Sequence, residues 1–379
     1  MRILHAITTL DVGGAEMHLL AQVRGQCARG HSVRVVYFKG QGTLAPDFLA
    51  AGAERVERAT FSAGLYGDLR ANLRWAQIVH THLLKADMGV AVLATLAGRR
   101  AGLVSSKHND EQVLTRPLVS LVHGILGRLP QRTIPLSDHV ARFVERHGRI
   151  PRERQTRIYY GLDPAPFERA AAASPAARAQ LRSSLGIAAD EVVFTCVARF
   201  APQKAHDVLL RAFAQASKSE GGARLRLLLV GDDPFGDGRV RAEALARELG
   251  VHGPALFAGI RRDVPELLAA SDVFVMCSLW EGLGLVFLEA MATGLPVLAT
   301  RVSAVPEVVA EGSTGLLVPP SDVEALAAGM LRLANDASLR SALGSAGRER
   351  VRRNFALERM IEETLRVYAD LHPSGRSGR

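Results

Sequence analysis

The chain has 379 residues, enough for two domains of ordinary size, each with its own core. Its composition, 48% hydrophobic and 22% charged, is that of a globular protein, and no apolar run approaches the about 20 residues that a membrane-spanning helix needs, which excludes an integral membrane protein. The net charge of +9 is confined to one half: residues 1–170 carry 23 Lys+Arg against 14 Asp+Glu, and residues 171–379 carry 24 against 24.

The opening segment, MRILHAITTLDVGGAEMHLL, meets Asp11 and Glu16 before any signal-peptide core and reads as a first strand with its turn. Apolar or β-branched runs then alternate with amphipathic stretches. RILHAI precedes a helix from Ala15. SVRVVYF follows, then QIVHTH with a helix from Ala86, AGLVSS, and RTIPLS with a helix from Asp138. The second half restarts the rhythm: EVVFTCVA and a helix from Asp207, LRLLLVG and a helix from Val240, ALFAG and a helix from Val264, DVFVMCS and a helix from Leu285, then PVLAT. Such repetition means βαβ units on parallel sheets, hence two Rossmann-like domains in tandem. Pro164, Pro166, the run AAAASPAARA and Gly186 interrupt the pattern and place the joint near residues 164–190. Helices follow Pro319-Pro320, the last being FALERMIEETLRVYADL with one apolar face, and the tail HPSGRSGR has the composition of a disordered end.

Cys27, Cys196 and Cys277 are too scattered for a disulfide framework or a zinc site and suit a reducing cytoplasm. The basic first half, densest from Arg99 to Arg157, suits an anionic acceptor or peripheral contact with an anionic membrane as well as it suits an ordinary solvated surface. Nucleic-acid binding would rest on a pI near 10.0 alone, since aromatics are only 5% and show no aromatic-basic stripe.

Two segments carry candidate chemistry. In Ser278–Val297, Glu281 sits in a loop after a strand and Glu289 two turns into the next helix. The Gly282-Leu283-Gly284-Leu285-Val286 turn leaves helix N-terminal amides available to an anion such as a diphosphate. In Val197–Lys204, Arg199 and Lys204 lie at the carboxyl edge of a parallel strand, where open α/β sheets place ligands. A guanidinium fork and a point charge both suit phosphate oxygens. Taken singly, each has a plain structural reading as helix-flanking acids or solvated loop cations.

Together with Gly13-Gly14-Ala15-Glu16, His80-Thr81-His82, Tyr160-Gly161-Leu162-Asp163 and Gly231-Asp232, these pieces appear in an order that resembles a family 4 glycosyltransferase over nearly the whole chain. The resemblance implies the GT-B fold: an acceptor-binding domain over 1–168, a nucleotide-sugar-binding domain over 169–355, a cleft between them, and a closing helix over 356–372 that crosses back to the first domain. Arg199 and Lys204 would hold the donor phosphates, Glu289 the ribose, Glu281 the transferred sugar, and backbone near Ile260-Arg261 the base. Gly13 and Gly14 would permit close approach to the donor phosphates and the acceptor, a tight turn being the alternative account of them, and Gly231 would belong to the donor site. His82 would stand beside the sugar and the attacking hydroxyl, with His80 as its rival for that place. Tyr160 would face the acceptor, Glu16 would either face it or complement the dipole of the helix it opens, and His108 is a weaker acceptor candidate for which a hydrogen-bonded structural histidine is the better account.

Two departures from the family pattern are Tyr160, where many relatives have Asn, and Phe200 with Pro202, where glycine often follows the arginine. No Asp-x-Asp occurs, so no metal and no cofactor are expected, the charge falling to Arg199, Lys204 and helix amides. The implied activity is retaining hexosyl transfer from a nucleotide-diphosphate sugar to a glycan, lipid-linked or small-molecule hydroxyl, as in cell-surface polysaccharide or lipopolysaccharide synthesis. A sugar-nucleotide epimerase of the same fold, or a silent nucleotide-sugar-binding relative, would use the same donor residues. A dinucleotide dehydrogenase is set aside because the first loop reads DVGGAE and lacks GxGxxG.

Overall fold

The structure is a computed structural model and describes residues 1–59, 65–97, 102–219, 224–233 and 236–372. The tail over 373–379, expected to be disordered, and the start of the basic stretch at Arg99 and Arg100 lie outside the described residues. Among the described residues no helix is long and apolar enough to cross a membrane.

The chain forms two units, one from Met1–Gly161 with the segment from Leu357 onward, the other Leu162–Ala356. The first contains a parallel six-stranded sheet of β1 (Arg2–Thr9), β2 (Ser32–Lys39), β3 (Arg55–Arg58), β4 (Ile78–His82), β5 (Leu103–Lys107) and β6 (Arg132–Pro135), in the order β3-β2-β1-β4-β5-β6. The second contains β7 (Val192–Val197), β8 (Leu225–Val230), β9 (Ala255–Gly259), β10 (Val273–Met276), β11 (Val297–Thr300) and β12 (Gly315–Val318), in the order β12-β11-β10-β7-β8-β9. Counted from its own first strand, each sheet runs 3-2-1-4-5-6, the dinucleotide-fold order that reverses between its first and fourth strands.

The central strands are buried on both faces, as a covered parallel sheet requires: every residue of β4 and β5 is buried. β3 and β12 are the edge strands that the sequence pattern does not announce. Each has four residues, and RVER in β3 has a single apolar side chain among three charged ones. The divide falls at Gly161/Leu162, a few residues ahead of the boundary expected at 168, because Leu162 N donates to Phe355 O at 2.9 Å and so belongs with the second unit. The stretch 164–190 is built into that unit as helices Ala165–Ala171 and Pro175–Ser184, the latter capped by Ser174.

Helix Leu357–Leu371 shares the core of the first unit. Met360, Ile361, Val367 and Tyr368 pack with Ile3, Leu19 and Val23, and a Cβ on Gly25 would meet Ile361 Cδ1 at 2.1 Å. Each such burial contributes roughly 1.5–3 kcal/mol, so the sheet depends on a helix from the far end of the sequence.

Candidate functional site

In the second unit the order reverses between β7 and β10, and the loops leaving these two strands carry the charged candidates. Lys204 forms an ion pair with Glu281, with side-chain exposures of 14% and 7%. Ser278 Oγ donates to the same carboxylate oxygen at 2.6 Å, and Thr300 Oγ1 holds Ser278 O at 2.6 Å. The loops are tied together by Leu279 N donating to Gln203 O (2.8 Å) and Gln203 Nε2 to Trp280 O (2.6 Å). Ala205, next to Lys204, has φ +47°, a conformation costly for a residue with a Cβ and one that clusters at functional turns.

Arg199 is exposed, and its guanidinium has no partner among the described residues. Gly231 lies against the same loop at φ +157°, where a Cβ would come within 1.9 Å of Ala198 O, so glycine is required there. Phe200, the family departure, is buried and stacks on His206 at 4.5 Å. Helix Leu285–Thr293 starts after Gly284 (φ +83°) with no side-chain cap and no acid in its first turn, which leaves its N-terminal dipole unopposed. Leu283 and Leu285 are buried, so only their backbone can meet a ligand. Glu289 is half-buried on that helix, and burial pushes its carboxyl up to about 7. Ile260 is exposed after β9, while Arg261 is held by Asp263 at 2.5 and 2.7 Å.

In the first unit the reversal lies between β1 and β4 and is filled by neutral rings. Register pairs His5 with His80 and Ile7 with His82. Gln26 Oε1 accepts from His5 Nε2–H at 2.9 Å, so His5 Nδ1 accepts from His82 Nε2–H at 3.0 Å. His82 Nδ1 in turn accepts from His108 Nε2–H at 3.1 Å, and His108 Nδ1 from the Tyr160 hydroxyl at 2.7 Å. One proton serves each link and all three imidazoles are neutral. Burial holds His5 down to about 4 and His108 to about 3, the latter with help from Lys107, and it holds His82 well below the usual histidine range. His80 sits beside the chain, bonded to Tyr368 OH at 2.5 Å and Ser106 Oγ at 2.8 Å. Lys107 is paired with Asp87 within the interior.

His80 and His82 are thus both buried, at 1% and 0% exposure, with every ring nitrogen engaged. The sequence places His82 beside a sugar; the structure places it in the middle of a hydrogen-bonded array. His5, Gln26, Ser106 and Tyr368 are its unforeseen members, and the one signal for them was a histidine inside the apolar run RILHAI. Tyr160, the other family departure, ends the array and stacks on His18 at 4.1 Å. His18 Nδ1 and Gln22 Oε1 have no hydrogen-bond partner among the described residues and border a small cavity with Ser106, Lys107, His108 and Tyr160, a polar setting suited to a water molecule. Ring nitrogens of His5, His80 and His82 also lie within 4.8 Å of one another, but a metal there would displace the His5–His82 bond.

At the β1 loop, Gly13 is extended (φ −167°) and a Cβ on Gly14 would meet nothing within 4 Å, so neither glycine is demanded by its backbone. Glu16 is buried and accepts from Thr9 Oγ1 at 2.5 Å. Leu83, directly after His82, has φ +66°.

Two family models divide the chain, Glycosyltransferase Family 4 over residues 12–166 and Glycosyl transferases group 1 over residues 177–350. A D-inositol 3-phosphate glycosyltransferase of Saccharomonospora viridis is 38% identical over 52% of this chain, and the match spans about half of that relative (47%). A GDP-mannose-dependent alpha-(1-6)-phosphatidylinositol monomannoside mannosyltransferase of Mycolicibacterium smegmatis is 32% identical over 89% of each chain. Among solved structures, Anabaena HepE in complex with UDP superposes with a TM-score of 0.86 over 98% of this chain and 100% of its own, at 23% identity, a likeness of fold. The two sheets and this likeness make the fold GT-B. The whole-length relative, the two family models and the motifs agree: the chain belongs to glycosyltransferase family 4 and is a glycosyltransferase.

Proposed function

We propose that the chain transfers a hexosyl group, with retention and without a metal, from a nucleoside-diphosphate sugar held by the second unit to a hydroxyl of a glycan or lipid-linked acceptor held by the first. The observation that carries this reading is the buried Lys204–Glu281 pair at the β7/β10 reversal, beside an Arg199 with no partner among the described residues and a helix start without a side-chain cap. Two cations and oriented amides suit a departing diphosphate, whose developing charge they stabilise as the anomeric bond breaks. The acceptor hydroxyl attacks from the face the diphosphate leaves, and a diphosphate oxygen takes its proton. Glu281, paired with Lys204 and accepting from Ser278, orients sugar hydroxyls, and Glu289 receives ribose. Exposed Ile260 offers an apolar contact to the base.

The relatives' names give the donor and acceptor classes to try first: GDP-mannose for the mycobacterial enzyme, UDP for HepE, inositol-based acceptors for the actinobacterial ones. Free Cys27, Cys196 and Cys277 accord with a cytoplasmic site of action. Thermal shift against UDP, GDP, ADP, CMP and NAD, in chelator and again with magnesium or manganese, tests the donor site. One nucleoside diphosphate should raise the midpoint equally in both, and Arg199→Ala with Lys204→Ala should abolish the rise. No response to any diphosphate would overturn the reading, and an inverted anomeric product by NMR would overturn retention.

A further inference from the structure

Lys204 is aimed by its backbone before it is paired by its side chain. It ends the short turn Pro202–Lys204, and Ala205 after it stands at φ +47° and ψ +49° as it opens helix His206–Ser217. That is the left-handed conformation, which a Cβ disfavours, so a group outside the segment must help to hold it.

The group in place to do so is the thiol of Cys277, the residue that follows β10. Cys277 is fully buried, and its Sγ donates to Ala205 O at 3.1 Å with Lys204 O at 3.6 Å. Burial, with the Cys196 thiol nearby, raises Cys277 above its ordinary value, so the donor proton stays on sulfur; a thiolate would face two carbonyl oxygens. The next two residues continue the seam. Ser278 Oγ donates to Glu281 at 2.6 Å, and Leu279 N to Gln203 O at 2.8 Å. Three consecutive residues thus fix the backbone of Lys204, the carboxylate it pairs with, and the residue before it. Packing alone accounts for a small apolar side chain at this place. It does not account for a donor set against the carbonyl of a left-handed alanine next to the buried cation.

We infer that Cys277 is a positioning residue for Lys204: its thiol holds the left-handed turn at Ala205 and so sets where the ammonium stands toward a diphosphate. The thiol acts through Lys204, and its role rests on the reading of Lys204 as a donor-phosphate ligand. The test is calorimetric titration of the full chain with UDP and with GDP, with the melting midpoint of each variant measured beside it. Cys277→Ala should weaken binding by about threefold to tenfold, the worth of one modest hydrogen bond. Adding Ala205→Gly should regain most of that loss, because glycine takes the left-handed turn unaided, whereas a cavity left at Cys277 would persist. Cys277→Ser keeps a donor and should bind within about twofold of the native chain. In Lys204→Ala with Glu281→Gln, adding Cys277→Ala should change nothing, since the residue it positions is gone. If Cys277→Ala does not fold, Cys277→Val, also without a donor, is put through the same series. Native binding in the donor-less variant, a loss that glycine does not regain, or an equal loss without Lys204 would overturn the inference and leave the donor reading standing. No binding of either nucleotide to the native chain, or undiminished binding in Lys204→Ala with Glu281→Gln, would overturn both.

Discussion

The two sheets share one strand order but furnish its reversal in opposite ways. Between β7 and β10 stand charges: Lys204 paired with Glu281, Arg199 without a partner among the described residues, and a carboxyl at Glu289 that burial raises to about 7. Between β1 and β4 stand His5, His80 and His82, linked through His108 to Tyr160, all buried and all neutral. Charges at the reversal of an open α/β sheet stand where such sheets place ligands. Neutral rings with every nitrogen engaged in a hydrogen bond build a rigid, proton-ordered array. In both places the next residue is strained: Leu83 follows His82 and Ala205 follows Lys204, each with positive φ.

The contrast breaks most sharply at Lys204. Lys204→Ala leaves a buried carboxylate with Ser278 as its remaining partner, which should cost about 3–5 kcal/mol of stability. It should also slow transfer by about a hundredfold to a thousandfold, the loss typical of removing one electrostatic stabiliser. Lys204→Ala combined with Glu281→Gln removes the buried charge and should restore most of the melting midpoint but none of the rate. A double variant that transferred sugar normally would reduce the pair to a structural bridge.

His82→Ala is the counterpart. It orphans His5 Nδ1 and His108 Nε2 at roughly 1–3 kcal/mol each. Per folded molecule, kcat should fall far less than in Lys204→Ala. An equal fall would mean that the ring acts on substrate after all.

The element rhythm was legible because buried parallel strands read as β-branched apolar runs, and the starts at Val264 and Leu285 are those of the sequence pattern. Helix Pro117–Leu126 was not, since its apolar residues face outward, contrary to what the pattern presumes. Arg199, Lys204 and Glu281 in the second unit sit within two short loops and could be read as motifs. The histidine array draws on β1, β4, β5, helix Gly14–Ala28, Tyr160 and Tyr368 from the last helix. No local pattern joins residues so far apart, so the sequence pairs His82 only with His80, two residues earlier on the same strand.

Opposite pH responses should separate the two places. His5 and His108 have folded values of about 4 and 3 against about 6.5 when unfolded, so between these limits the unfolded chain binds more protons. Their contribution to stability is therefore intact above pH 6.5 and lost as the pH falls toward 4. Glu289, raised to about 7 from 4.5, behaves in reverse: its contribution is complete below 4.5 and lost as the pH rises through 7. Hydrogen exchange, corrected for intrinsic rates, should show β4 protection weakening from pH 7 to 5 while helix Leu285–Thr293 does not weaken in step. Nucleoside diphosphate affinity should rise up to about tenfold from pH 6 to 8, as a carboxylate accepting ribose hydroxyls must be ionised, and Glu289→Gln should flatten that rise. A rise that survives in the variant would assign it to another group.

The finest comparison sets two glycines side by side. Gly231→Ala forces a Cβ into Ala198 O at a left-handed φ, and the strain alone should destabilise the second unit by about 1–3 kcal/mol. Gly14→Ala meets open space at the first turn of a helix, where alanine is the better helix former, so the melting midpoint should hold or rise slightly. If Gly14 is small so that a donor or acceptor can come close, transfer should drop by about tenfold while stability does not, a loss that no folding defect explains. If rate and stability are both unchanged, no ligand needs the space left by that missing Cβ, and the acceptor must be held elsewhere in the first unit.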